Sequence, residues 1–283
     1  MKRRIFVVFL VSIMILCTLV SCVGESKKLK TVDIKLTSEQ YAFGVNKDDT
    51  SLLNSTNELL EEIKNDGTLE TIVNKYFIND TSKIKTFDGG EYAPCKDQLV
   101  VATNVPFEPF EYKIGDRYCG IDIEIAGLLA EKTGKELVIL EYSFEDIFTE
   151  IQNGKVDIIM SGLSVSPDRE EYVNFTDTYF EASQVIVAKS KDKTFDECKT
   201  KEEVTDVLKK MNSNTKIGYQ KNTTSQYFVC GNEKIGFKGF DTNNVGYESA
   251  YKAIKALQNG EVDYVIVDKD PAGVIINSLN DEK

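Results

Sequence analysis

The sequence predicts an α/β protein of two lobes, each a mainly parallel sheet flanked by helices. Three observations carry that prediction. Short β-branched runs alternate with amphipathic helical segments, the pattern of a parallel sheet. One such unit is echoed, since Ile151-Gln152-Asn153-Gly154-Lys155-Val156-Asp157 recurs as Leu257-Gln258-Asn259-Gly260-Glu261-Val262-Asp263. Each copy comes after an amphipathic helix and leads into an apolar strand, so a helix, a Gly turn and a buried strand occur twice. Finally, the polar stretch 78–98, with Gly89, Gly90 and Pro94 as breakers, reads as a surface linker.

At the front of the chain, Lys2, Arg3 and Arg4 precede a nearly unbroken apolar run over 5–20 that stops at Leu19-Val20-Ser21-Cys22. That is a secretion signal, and small residues before Cys22 resemble a lipobox in which this cysteine becomes the lipid-bearing N-terminus. Val32, Ile34 and Leu36 alternate with polar neighbours, giving a strand within 31–36. Thr50 or Ser51 is placed to cap a helix with the stripe Leu52, Leu53, Leu59, Leu60 and Ile63, and Leu69, Ile72, Val73 and Tyr76 mark a second. Beyond the linker come a strand over 99–103, a hairpin across Gly115-Asp116, a helix closed by Gly134 and a strand over 138–140. Ser143 then caps a helix carrying Phe144, Ile147, Phe148 and Ile151.

Composition excludes several chemistries. The chain has 283 residues and a net charge of −12, which disfavours nucleic acid as a partner. It contains no histidine, which removes imidazole acid–base catalysis and most zinc or haem sites, so neither a metal nor a cofactor is expected. Outside the signal and Cys22 the cysteines are Cys95, Cys119, Cys198 and Cys230, with no close pair that would suggest metal. Four cysteines allow three pairings, and bridges within lobes, Cys95 with Cys119 and Cys198 with Cys230, are the ones compatible with a moving cleft.

In open parallel sheets ligands sit at the carboxyl ends of strands, so each echoed unit points to the residues just beyond its strand. After the first come Ser161, Gly162, Ser164 and Arg169. Arg169 supplies a planar fork and Ser164 a hydroxyl suited to a carboxylate, although a surface pairing of Arg169 with Glu170, Glu171 or Asp177 has the same spacing. After the second comes Asp268, an ammonium partner or a helix-capping residue. As a pair, Arg169 and Asp268 suit the two ends of a zwitterion held between two lobes. Asn104, Phe107, Tyr112 and Phe144 are candidates for side-chain recognition, with Phe110 assigned to the core. Gln220, Thr223 and Thr224 come after the strand over 216–219, where they line the same cleft or cap the next helix.

Several motifs together resemble the polar amino acid solute-binding proteins of ABC transporters, with a type II periplasmic binding fold. They are Val101-Ala102-Thr103-Asn104 with Phe107-Glu108-Pro109-Phe110, Gly120-Ile121-Asp122-Ile123-Glu124, Ser161-Gly162-Leu163-Ser164, and Asp168-Arg169 with Asn174-Phe175-Thr176. The resemblance implies a non-enzymatic, monomeric, extracytoplasmic lipoprotein that closes by a hinge on a free amino acid and delivers it to an ABC permease. It implies that Ser164 and Arg169 hold the α-carboxylate and Asp268 the α-ammonium. Ser161, Gly162 and Thr224 would add hydrogen bonds, and Phe107 and Phe144 would flank the side chain. A dehydratase of the cyclohexadienyl type and an amino-acid sensor are the competing functions on the same scaffold. Asn104 stands where relatives that bind basic amino acids, and some that bind glutamine, carry Asp; the expected ligand is a neutral polar amino acid, glutamine foremost, with a basic amino acid second if Glu108 or Glu111 supplies the missing charge. Asn222 stands where the family prefers Gly.

The order of segments departs from the family. Residues 36–77, beginning Leu36-Thr37-Ser38-Glu39-Gln40-Tyr41, look like the family's closing segment placed at the front. The reading is a circular permutation: signal 1–21, tether 22–30, a strand of lobe 2 in 31–39, the closing part of lobe 1 in 40–77, the joining linker 78–98, the main part of lobe 1 in 99–185 and lobe 2 in 186–283. Hinge crossings fall near 40–43 and 182–187.

Overall fold

Both echoed units end in the central strand of a five-stranded sheet in the computed structural model, which describes residues 27–77, 83–94 and 96–281. The signal and Cys22 therefore lie outside the described residues. In lobe 1 the central strand is β8 (Ile158–Ile159), within the order β7 (Glu136–Glu141), β4 (Gln98–Thr103), β8, β3 (Gly44–Asn46), β9 (Val173–Phe175). In lobe 2 it is β14 (Tyr264–Asp268), within the order β1 (Leu29–Val32), β11 (Gln184–Lys189), β14, β12 (Lys216–Gln220), β13 (Asn243–Tyr247).

The sheets are mixed, which corrects the expectation of mainly parallel ones. In lobe 1, β4 runs parallel to β7 and β8, whereas β3 is antiparallel to β8 and β9. In lobe 2, β12 runs parallel to β13 and β14, whereas β11 is antiparallel to β1 and β14. The parallel half of each sheet comes from strand–helix–strand units, and the antiparallel half holds strands adjoining a crossing between lobes.

Each sheet is covered on both faces, so its strands read as continuous apolar runs. Along β4, Leu99 and Val101 enter one cluster with α1 (Thr50–Asn65), α2 (Thr68–Phe77) and α3 (Ile121–Thr133). Val100 and Ala102 enter the other with α4 (Asp146–Gln152). Along β14, Val265 and Val267 pack against α7 (Ala250–Asn259) and α8 (Lys269–Asp281). Tyr264 and Ile266 face α5 (Lys201–Lys209) and α6 (Thr224–Cys230). Burying each such branched side chain contributes about 1.5–3 kcal/mol.

Local chemistry sets the boundaries, at times a few residues from expectation. Asp49, rather than Thr50 or Ser51, caps α1 by accepting from the Leu52 amide at 2.8 Å. Strand β1 ends at Val32, and the residues after it are irregular although Leu36 is fully buried. Alternation there reflects packing beneath α5 and not a ladder. Helix α4 begins at Asp146, whose amide donates to the Ser143 hydroxyl.

The lobes are joined by two crossings that pair with each other. Strand β2 (Glu39–Tyr41) leads from lobe 2 to lobe 1, and β10 (Phe180–Ala182) leads back, antiparallel, as a two-stranded ribbon. Residues 83–94 lie along lobe 1 and do not float: Phe87 exchanges backbone hydrogen bonds with Tyr118 at 2.8 and 2.9 Å. The ends of the fold meet at Leu29 and Asn280, whose side chain bonds both the amide and the carbonyl of Leu29 at 2.9 and 3.0 Å.

Cys198 and Cys230 are free, which corrects the expected bridge between them. Cys198 packs with the cluster around Phe195 and Val204, and Cys230, at the end of α6, interacts with Tyr219 instead. Cys119 is also free, its thiol directed at the Tyr112 carbonyl, and Cys95 lies outside the described residues.

Candidate functional site

A small, tightly closed cavity of about 20 Å³ lies between the lobes. Its lining is Asn104, Phe107, Glu111, Phe144, Ser161, Gly162, Ser164 and Arg169 from lobe 1, and Gln220, Thr223, Thr224 and Asp268 from lobe 2. The side chains singled out in the sequence are thus brought together, with Glu111 added. Tyr112 is not among them, because strand β5 (Tyr112–Ile114) pairs with β6 (Arg117–Cys119) and turns its ring onto Tyr76.

The lobe 1 wall is built by tight loops. Phe107 and Glu111 close a turn after β4, in which the Phe107 amide donates to the Glu111 carbonyl at 2.7 Å. Gly120 fixes that turn from behind. Its φ is +131°, and a Cβ there would lie 2.0 Å from the Phe110 carbonyl oxygen, so no other residue fits without moving the loop that carries Glu111. Gly162 has φ +51°, and the Phe107 ring occupies the space a Cβ would need. The Gly162 amide donates to Asp122 at 2.9 Å, and Asp122 is held on its other oxygen by the Tyr179 hydroxyl at 2.5 Å.

Arg169 begins a 3-10 turn (Arg169–Glu171) and is only 4% exposed. It makes no salt bridge among the described residues, and Glu171 pairs with Lys234 instead. Its guanidinium donates to the Ser164 carbonyl at 2.7 Å and, across the cleft, to the Asn222 carbonyl at 3.2 Å. It lies 5.2 Å from the Phe144 ring centre and 5.9 Å from that of Phe148. Its Nε is buried without a partner. Asn222 adopts φ +61°, a conformation asparagine tolerates where glycine is the default.

On the acidic side, Asp268 ends β14 and accepts from the Tyr41 hydroxyl at 2.5 Å. Glu111 is fully buried; its Oε1 accepts from the Ser161 hydroxyl at 2.9 Å, and its Oε2 has no partner. Burial first, then the neighbouring charges of Asp122 and Asp268, push the Glu111 carboxyl well above the usual carboxylate range. Burial likewise raises Asp122 to about 7. Asp268 is raised to about 7, by burial and then by Glu39.

Several groups expected to meet a ligand are already engaged. Asn104 donates to the Tyr142 carbonyl at 2.7 Å and accepts from Gln220 at 3.3 Å, so each polar atom of its carboxamide already has one partner. The Ser164 hydroxyl donates to Glu39 at 2.7 Å, and the Thr223 hydroxyl to the Gln220 carbonyl at 2.7 Å. Glu111 carried a signal in the sequence, a carboxylate just after the Asn104 loop, but nothing in the spacing said that one oxygen would be left unpaired in a cavity.

Residues 99–228 match the sequence profile of the bacterial extracellular solute-binding proteins, family 3. That stretch, somewhat under half of the chain, carries the family's profile. The chain is 27% identical over 179 residues to the ABC transporter arginine-binding protein 1 of Escherichia coli (strain K12), covering 62% of this chain and 65% of the relative. It is 30% identical over 171 residues to a probable histidine-binding protein of Neisseria gonorrhoeae, covering 59% of this chain and 58% of the relative. A shorter match, 37% over 94 residues, is to an arginine-binding extracellular protein of Bacillus subtilis (strain 168), covering 33% of this chain and 37% of the relative. The chain thus spans less than two thirds of the length of each of these curated relatives.

Among solved structures, an ancestral arginine-binding protein bound to arginine superposes with a TM-score of 0.55 at 28% identity, over 66% of this chain and 76% of that one. An ancestral amino acid-binding protein described as a precursor of cyclohexadienyl dehydratase gives 0.55 at 26%, over 64% and 74%. Among the described residues of the chain, no helix is long and apolar enough to cross a membrane.

The buried acids give the chain a pH signature. Carboxyls whose folded pKa is raised stabilise the fold below their unfolded value, about 4, and that contribution is lost as pH rises through the folded value, near 7 for Asp122 and Asp268. Thermal melts of the ligand-free protein at pH 5.5 and pH 8 should therefore show a lower melting temperature at pH 8 for the native chain than for Glu111→Gln, relative to their values at pH 5.5. The gap should narrow by roughly 2 °C or more in the variant. Equal gaps would mean that Glu111 is ionised in both states.

Proposed function

We propose that this chain captures a free α-amino acid with a cationic side chain between its lobes and presents it, closed, to an ABC importer. The observation that carries the reading is Arg169, a buried guanidinium without a carboxylate partner, in the same cavity as the buried carboxylate of Asp268. An unpaired buried charge is costly, and a ligand carboxylate supplies what Arg169 lacks. Asp268 takes the α-ammonium, and the unpaired oxygen of Glu111 takes the charged end of the side chain. A cationic side chain beside Glu111 would draw its raised carboxyl back towards the ionised form, a coupling that a neutral amino acid does not supply.

The expectation of glutamine rested on the Asn104 carboxamide, each polar atom of which already has one partner within the protein. Glu111 shifts the preference to a basic amino acid, with glutamine second. The arginine- and histidine-binding relatives support that order, although an ancestral arginine-binding protein has also been solved with glutamine. Delivery to a permease is inferred from the ABC-transporter relative, and attachment to the membrane rests on the sequence over 1–22. The segment order is a circular permutation in this reading, supported by the contact of Leu29 with Asn280 and by β1 and β3 joining different sheets.

Titration calorimetry with the common amino acids should rank arginine, lysine and histidine above glutamine, with no aromatic product formed from prephenate or arogenate. An acidic or apolar amino acid at the top of that ranking would overturn the reading. Arg169→Ala should weaken binding roughly thirty-fold to several thousand-fold, and Arg169→Lys should restore part of it. Ser164→Ala should have a smaller effect, since its hydroxyl already serves Glu39. A rearranged chain that opens within 83–94 and joins residue 281 to residue 29 through a short linker should fold with near-native melting temperature and ligand affinity; failure to fold would count against the permutation. Cys22→Ser should release the protein from membranes of the producing cells, and continued retention would refute the lipid anchor.

A further inference from the structure

The strand by which the chain crosses from lobe 2 into lobe 1 reaches the ligand cavity without lining it. Tyr41, at the end of β2, is 1% exposed, and its hydroxyl donates to Asp268 Oδ1 at 2.5 Å. The ring has little freedom to seek another partner. It packs edge-on against Phe110 at 5.1 Å, near Phe180 at 5.9 Å and near Tyr179 at 6.5 Å. Two residues earlier on the same strand, Glu39 accepts from Thr37 at 2.6 Å, Gln184 at 3.1 Å and Ser164 at 2.7 Å.

We infer that Tyr41 is the positioning residue of the ammonium site, holding Asp268 ionised and aimed into the cleft from the hinge ribbon. The inference rests on the assignment of Asp268 to the ligand ammonium and adds how that carboxylate is kept usable. Asp268 is buried, with the like charge of Glu39 on β2 acting on it, and Glu111 on the loop after β4 lines the same cavity. Opposing burial and the Glu39 charge are the Tyr41 hydroxyl, the Gln184 side chain on β11 and the Arg169 charge from the 3-10 turn. Without the phenolic donor, burial and the Glu39 charge favour protonation, and a protonated Asp268 cannot pair with an ammonium. The Tyr41 hydroxyl is itself raised well above its ordinary range by burial, so it remains a donor throughout the working pH range. Because β2 is half of the hinge ribbon, lobe closure and the state of Asp268 are mechanically joined.

The test is the pH dependence of L-arginine binding to the native chain, Tyr41→Phe, Glu39→Gln, the double variant and Asp268→Asn, by calorimetry between pH 5.5 and 8.5. Phenylalanine keeps the packed ring, and a melt shows whether the fold survives. Tyr41→Phe should weaken binding at pH 7 by about ten- to a hundred-fold, the loss of one hydrogen bond to a charged group. Its affinity should recover towards pH 8.5, with the midpoint of the pH profile moved upward. Glu39→Gln should move the midpoint downward and, in the double variant, partly restore binding at pH 7. A uniform loss at every pH would make Tyr41 merely structural and overturn the inference, as would native affinity in Tyr41→Phe while Asp268→Asn loses binding. Should Tyr41→Phe not fold, an unmoved midpoint in Glu39→Gln overturns it. Unchanged binding in Asp268→Asn would instead overturn the assignment of Asp268 to the ammonium.

Discussion

A buried guanidinium with no carboxylate to answer it is the constraint around which this molecule is arranged. Arg169 is held by two carbonyls, one from each lobe, and by the faces of Phe144 and Phe148. Carbonyls and rings orient a cation without neutralising it, which leaves the charge available. Truncating one member of a buried charge pair costs several kcal/mol, so a protein that buries one member alone is built to receive the other. The contact to Asn222 also ties closure to the same group, since it exists only when lobe 2 faces lobe 1.

The opposite wall has the reverse problem, too many carboxylates in too little water. Glu111, Asp122 and Asp268 are all buried, and each is restrained by a hydroxyl: Ser161, Tyr179 and Tyr41 respectively. Of these three, Glu111 has a buried oxygen without a partner among the described residues. The acid excess and the lone arginine are thus two halves of one electrostatic balance that is completed from outside the chain. The ribbon that joins the lobes takes part in it through Tyr41 and Glu39.

Much of this was legible in the sequence. The echoed Asn-Gly turn located the central strand of each sheet and, through the rule that ligands sit at strand ends, led to Arg169 and Asp268. The lining of the cavity could be named because strand-to-loop transitions carry polar residues where a core would not. What escaped was whatever depends on three dimensions. Parallel and antiparallel pairing look alike in a fully buried strand, so the mixed sheets were missed. Alternation over Val32, Ile34 and Leu36 reported burial and not pairing. Asn104 looked free because its two partners, Tyr142 and Gln220, come from distant segments. Glu111 could be named only as one of two candidate counter-charges, with Glu108, because desolvation has no sequence signature.

The central claim is that Arg169 and Asp268 grip opposite ends of one ligand while Glu111 holds its side chain. It is tested most directly by calorimetry with arginine dissected by charge: L-arginine, agmatine without the carboxylate, and 5-guanidinopentanoic acid without the α-ammonium. The account predicts that each dissected compound binds at least about thirty-fold more weakly than arginine, because each leaves one buried charge unanswered. Agmatine or 5-guanidinopentanoic acid binding as tightly as arginine would contradict it.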